Sequence, residues 1–102
     1  ISQEMKISDT ERVKKQFISA SLKAVEMGFD LIVIHGTHSY LFHQFLSPIS
    51  NNRKDKYGGN IENRMRFPLE IFSSVKVVLP KNFLLGMRIT GTEWENNGID
   101  QK

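Results

Sequence analysis

The chain predicts an α/β fold with parallel strands, and three observations carry that reading. Two short strand-like runs, Leu31-Ile32-Val33-Ile34 and Leu84-Leu85-Gly86-Met87-Arg88-Ile89, each follow a stretch with helical periodicity. No hairpin signal joins them, and the long connection between them holds a helix of its own. The order helix, strand, long loop, helix, strand is that of a βαβ unit, which closes with a right-handed crossover.

The first helix is announced by Ser8-Asp9-Thr10-Glu11, which reads as a capping box with Ser8 at the N-cap. Behind it Val13, Phe17, Ala20, Ser21, Ala24 and Val25 recur at three- and four-residue spacing, while Lys14, Lys15, Lys23 and Glu26 occupy the other faces. Gly28 is the expected stop, because glycine accepts the left-handed conformation that ends a helix. The run Leu31–Ile34 is apolar at every position, which suits a strand buried on both faces.

Leu41–Leu46 predicts a short helix ended by Ser47-Pro48, since the residue before a proline disfavours helix. From Asn51 to Asn60 the chain is polar and holds Gly58-Gly59, a long loop with a turn in it. A second long helix is expected over about 61–79, with Asn60 as N-cap and Ile61, Met65, Leu69, Phe72, Val75 and Leu79 as its apolar stripe. Pro68 falls inside it and predicts a kink or a restart. Pro80 ends it, and Phe83–Ile89 is the next strand.

Composition bounds the function classes. At 39% hydrophobic and 25% charged, the 102 residues read as an ordinary soluble protein. No apolar run approaches the roughly 20 residues of a membrane span, and no basic-then-apolar leader is visible. The absence of cysteine removes disulfides and thiolate metal ligands from this stretch and fits a cytoplasmic address. The net charge of +3 is spread over Lys14-Lys15, Arg53-Lys54, Lys56, Arg64 and Arg66 with acids interleaved, so nucleic acid is not an expected partner. The start at Ile1 and the stop soon after a strand resemble an excised segment. Two apolar strands need more cover than one βαβ unit provides, so the sheet is expected to belong to a larger sheet or barrel.

Chemistry concentrates at the strand ends. His35, His38 and Tyr40 follow the first strand within six residues, and Arg88 lies near the carboxyl end of the second. In parallel α/β folds that end is where loops converge on a site. Two imidazole N–H groups can polarise a carbonyl or hold an anionic oxygen. Tyr40, with an ordinary pKa of about 10, can donate a proton to a carbanion. His35, His38 and His43 as zinc ligands are a weaker alternative, with neither cysteine nor an H-E-x-x-H helix to help, so no metal is expected. Arg88 suits either a structural ion pair or the stabilisation of a delocalised anion.

The stretches His35-Gly36-x-His38-x-Tyr40-Leu41, Gln44-Phe45-Leu46-Ser47-Pro48, Arg53-x-Asp55-x-Tyr57-Gly58-Gly59 and Glu62-Asn63-Arg64-x-Arg66-Phe67 resemble the Old Yellow Enzyme family of NADH:flavin oxidoreductases. The resemblance covers nearly the whole chain, from about Ile7 to Asp100. It implies a central fragment of a TIM (β/α)8 barrel, with residues 1–102 a partial domain around the fourth and fifth strands. It further implies FMN as cofactor, NADH or NADPH as reductant, and a small-molecule substrate with an activated C=C bond, such as an enone or enal. In that setting His35 and His38 would bind the substrate oxygen, Tyr40 would protonate the α-carbon, and Arg88 would contact the flavin's pyrimidine edge. The sequence departs from the family's habit at Thr37 (usually Ala), Ser39 (commonly Gly) and Val33 (usually Glu). Amine dehydrogenases, a related branch, carry Tyr in place of the first His, so His35 favours the ene-reductase or dienoyl-CoA reductase side. A barrel needs roughly 250 residues, so the 102-residue chain alone is expected not to hold FMN usefully, and a truncated, inactive fragment is the non-enzyme alternative. A homo-oligomer is open to the full-length protein.

Overall fold

The computed structural model describes residues 3–38, 40–94 and 98–99; the Ser39 departure and Asp100 lie outside them. Five elements follow in order: α1 (Ile7–Glu26), β1 (Leu31–Gly36), α2 (Leu41–Leu46), α3 (Ile61–Val78) and β2 (Leu84–Ile89).

Helix α1 begins earlier than Ser8 suggested. Its N-cap is Lys6, whose backbone N–H donates to the Asp9 carboxylate at 2.8 Å, while Ser8 sits inside the first turn. A carboxylate at the third helical position satisfies an otherwise orphaned amide and faces the positive end of the helix dipole. That amide holds the Asp9 carboxyl below its ordinary range, with Arg12 adding to the effect. The helix ends in a Schellman arrangement: Gly28 at φ +91°, with Phe29 N–H donating to the Ala24 carbonyl and Gly28 N–H to that of Val25. Val13 and Phe17 pack towards the core and Ser21 is buried, its hydroxyl donating to the Phe17 carbonyl, whereas Ala20 faces outward.

β1 and β2 pair in parallel, Leu31 opposite Leu84 through to His35 opposite Arg88 and Gly36 opposite Ile89. Alternation along each strand splits the sheet into two unlike faces. Ile32, Ile34, Leu85 and Met87 turn towards the helices and the core. Leu31, Val33 and Leu84 lie on the other face, 52%, 55% and 63% exposed. Among the described residues the helices cover one side and no described element covers the other, in keeping with a sheet that needs more cover than one βαβ unit provides.

The core lies between the helices and the inward sheet face. Phe42 and Phe45 of α2, Tyr57 of the loop, and Phe67, Ile71 and Val75 of α3 are buried with Ile34. Phe67 is the hub, with ring centroids 4.7 Å from Phe45 and 5.7 Å from both Phe42 and Tyr57, in tilted and edge-on geometries that aromatic quadrupoles favour. The stripe of α3 is thus rotated from the one expected. Phe67, Pro68, Ile71 and Val75 face inward, while Ile61 and Leu69 are exposed. Asn60 does cap it, accepting from Asn63 N–H at 2.9 Å. The helix continues through Pro68 without restarting.

Candidate functional site

The loop from Asn51 to Asn60 is held by its own polar side chains. Asn51 Nδ2 donates to the Phe45 and Tyr57 carbonyls (2.7 and 2.8 Å), and its Oδ1 accepts from Arg53 N–H (3.0 Å). Arg53 forms a two-point bond to Asp55 (3.1 and 2.6 Å) and donates to the Met5 carbonyl at 2.6 Å. That pairing raises the Arg53 pKa and holds the Asp55 carboxyl below its usual range. Burial pushes the Tyr57 phenol up to about 12, helped by its hydrogen bond to Glu70 at 2.7 Å. Arg64 and Arg66 donate back to the carbonyls of Leu46, Gly59 and Lys56. The long polar motif is therefore a structural clamp on α2 and α3, and Gly58-Gly59 is its turn.

That clamp leaves the strand ends free to carry chemistry. His35 closes β1 on the uncovered face, directly opposite Arg88 of β2. Gly36 lets the strands stay close here, since a Cβ on it would sit 2.9 Å from the Arg88 carbonyl oxygen. The chain then turns through His38 at φ +57°, with Tyr40 N–H donating to the Thr37 carbonyl. Tyr40 serves as the N-cap of α2 and is fixed by it, its carbonyl accepting from Gln44 N–H at 2.9 Å. The His35 ring lies 5.5 Å from that of His38 and 5.4 Å from that of Tyr40, centroid to centroid. All three rings are solvent-accessible, Tyr40 to 64%. The four predicted site residues therefore share one end of the sheet, with His35 and Arg88 on one face.

Arg88 forms no ion pair with any carboxylate among the described residues, so the structural role left open for it is not the one seen. An unpaired guanidinium beside two imidazoles and a phenol makes a surface for an electron-rich, partly anionic ligand. It fits the pyrimidine edge of a flavin in kind.

His43 does not join its fellow histidines. It is buried in α2, with Nδ1 3.0 Å from Thr90 Oγ1 and Nε2 2.8 Å from Glu93 Oε1. Both ring nitrogens are committed, and no group of three metal-ligating side chains stands together among the described residues. Ser47 Oγ donates to both Glu93 oxygens (2.9 and 2.7 Å), Ile99 N–H donates to Oε2 (2.7 Å), and the Thr37 and Thr90 hydroxyls are hydrogen-bonded. Burial pushes the Glu93 carboxyl up, but the Ile99 amide, the Ser47 hydroxyl and the His43 ring outweigh it and hold it below the ordinary range. This network escaped the sequence reading. Its one legible trace is His43 and Ser47, four residues apart and hence on one side of the α2 turn.

Comparison with known proteins gives the family and the fold. The profile of the NADH:flavin oxidoreductase / NADH oxidase family matches residues 1–102. An NADH:flavin oxidoreductase of Gibberella zeae is 45% identical over 86 residues, which is 84% of this chain and 21% of that protein. An NADPH dehydrogenase of Bacillus subtilis is 42% identical over 97 residues, 95% of this chain and 28% of that protein. For the NADH oxidase of Thermoanaerobacter brockii the figures are 40% over 95 residues, 93% and 15%. The chain thus spans well under a third of the curated relatives it matches. Histamine dehydrogenase from Rhizobium sp. 4-9 superimposes with a TM-score of 0.87 at 30% identity, covering 95% of this chain and 14% of that one. The fold class is accordingly α/β, a section of a TIM (β/α)8 barrel. No described helix is long and apolar enough to cross a membrane. With the profile running the length of the sequence, the chain belongs to the NADH:flavin oxidoreductase / NADH oxidase family.

Proposed function

We propose that residues 1–102 are the section around the fourth and fifth strands of an FMN-dependent NAD(P)H oxidoreductase that reduces activated C=C bonds of enones, enals or related small molecules. The observation that carries the proposal is the clustering of His35, His38 and Tyr40 at the strand end opposite an unpaired Arg88. When bound, FMN supplies the hydride for the substrate β-carbon, drawn from NADH or NADPH. His35 and His38 donate N–H groups to the substrate oxygen and stabilise the negative charge that develops there. Tyr40 releases its phenolic proton to the α-carbon and recovers one from solvent, to which it is open. Arg88 favours negative charge at the flavin's pyrimidine edge. The 102-residue chain by itself retains too little of a flavin's surroundings to hold it, and FMN is expected to be lost on desalting.

The test is a pair of half-reactions measured on the full-length, flavin-loaded protein that contains this section. Tyr40→Phe is expected to slow alkene reduction by about a hundredfold, the scale of one general acid, while flavin reduction by NAD(P)H stays near the wild-type rate. Equal loss in both half-reactions would remove Tyr40 as the proton donor. A second reading, an amine dehydrogenase, draws on the likeness to histamine dehydrogenase. Turnover of an amine with no reduction of an enone would favour it.

A further inference from the structure

Behind the exposed face, a line of polar side chains runs through the interior from one strand end to the other. Thr37, buried between His35 and His38, is hydrogen-bonded through its hydroxyl to Thr90, two residues past Arg88. Thr90 bonds His43 Nδ1, and His43 Nε2 bonds Glu93, which Ser47 and Ile99 also hold.

Counting protons fixes the direction of each bond. Glu93 is a carboxylate and only accepts, so His43 Nε2 carries the hydrogen in that contact. In a neutral ring Nδ1 is then an acceptor, so the Thr90 hydroxyl donates to it. The Thr90 oxygen is left to accept from Thr37. One carboxylate thereby orients a chain of three donors that ends within the turn bearing the imidazole pair. Among the described residues no buried side-chain polar atom lacks a partner.

Stability is a poor account of this arrangement. Each such bond contributes about 1 kcal/mol net, and apolar side chains of similar shape would serve as well. What the network does fix is distance. Its Thr37–Thr90 link joins the residue between His35 and His38 to one two residues past Arg88. It also anchors the residue beside His38, whose φ of +57° is costly for a side chain other than glycine.

We infer that His43 is a positioning residue: held by Glu93 and acting through Thr90 and Thr37, it sets the imidazole pair of the β1 end against Arg88 of the β2 end. The inference rests on the assignment of His35 and His38 to the substrate oxygen.

The experiment titrates the full-length, flavin-loaded protein that contains this section with 4-hydroxybenzaldehyde, a phenol that presents an anionic oxygen to the two imidazoles, and follows the flavin absorbance. Thr37→Val keeps shape and burial but removes the hydroxyl, and is expected to raise Kd about fivefold to tenfold, the equivalent of one oriented hydrogen bond. His43→Ala is expected to raise it at least as much. The double variant should be no worse than His43→Ala alone within about twofold, because both act along one path. His43→Asn, whose amide oxygen can accept from Thr90 as Nδ1 does, should recover part of the affinity, a rescue that mere filling of space would not produce. Should His43→Ala fail to fold, Thr37→Val decides. Wild-type affinity in Thr37→Val, or losses that multiply fully in the double variant, would overturn the inference. His35→Ala separates the two levels. Weakened binding there, with Thr37→Val unchanged, refutes the positioning role alone. Unchanged binding in His35→Ala refutes the underlying assignment and the inference with it.

Discussion

Gly58 and Gly59 stand side by side in the turn, and replacing each with alanine should give unequal losses in an unexpected order. Gly59 has the positive φ, +101°, yet a Cβ there meets nothing within 4 Å. Its cost is backbone strain alone, roughly 1–2 kcal/mol. Gly58 carries no such φ, but its Cβ would fall 2.3 Å from the Arg53 carbonyl oxygen and 2.6 Å from the Arg53 Cβ. Arg53 cannot easily withdraw. Its amide is held by Asn51 and its guanidinium by Asp55 and Met5, so relief of the clash must break some of those bonds. Overpacking costs about 1–3 kcal/mol, and each lost bond adds about 1 kcal/mol. Gly58→Ala should therefore destabilise by roughly 3–5 kcal/mol, more than Gly59→Ala. Urea unfolding of the protein, followed by far-ultraviolet circular dichroism, measures both against wild type. A Gly59→Ala loss equal to or larger than that of Gly58→Ala would refute the reasoning and return the turn to a purely conformational explanation.

Phe67→Ala removes the ring shared by Phe42, Phe45 and Tyr57 and should cost about 3–5 kcal/mol in the same assay. Asn51→Ala leaves two carbonyls and one amide without a partner and should cost roughly 2–3 kcal/mol; a loss below 1 kcal/mol would mean that water replaces the amide fully. Glu93 titrates below its ordinary value of 4.5 when folded, so its contribution is complete above that pH and is lost as pH falls through the depressed value. Denaturation midpoints measured between about pH 5 and pH 3 should therefore fall more steeply in wild type than in Glu93→Gln, and equal slopes would contradict the shift.

Much of this molecule was legible from its residues because local signals and global fold agree. Gly28, Asn60 and Pro48 mark ends that the structure keeps, and the apolar runs are the strands. Ser8 misled because Asp9, one position on, makes the stronger carboxylate contact with Lys6. The α3 stripe differs from the expected one because Phe67 and Ile71 share the helix with Met65 and Leu69 at nearly the same spacing. Periodicity cannot choose between two overlapping stripes when the helix carries apolar residues on more than one side. Strand-end position is what makes His35, His38, Tyr40 and Arg88 candidates in the sequence, and the structure brings them to one end of the sheet. The Thr37–Glu93 network gave no such signal: its members lie far apart in sequence and meet only once β1 and β2 have paired.

The alternation in β1 and β2 divides labour between adjacent residues. Ile32, Ile34, Leu85 and Met87 hold the helices, whereas Val33, His35, Gly86 and Arg88 touch none of that packing. In a (β/α)8 barrel the face away from the helices is the barrel interior, which side chains from the other strands fill in layers. Substitutions in the second set therefore bear on ligand and barrel interior together, while the helical side of the same two strands is left as it is.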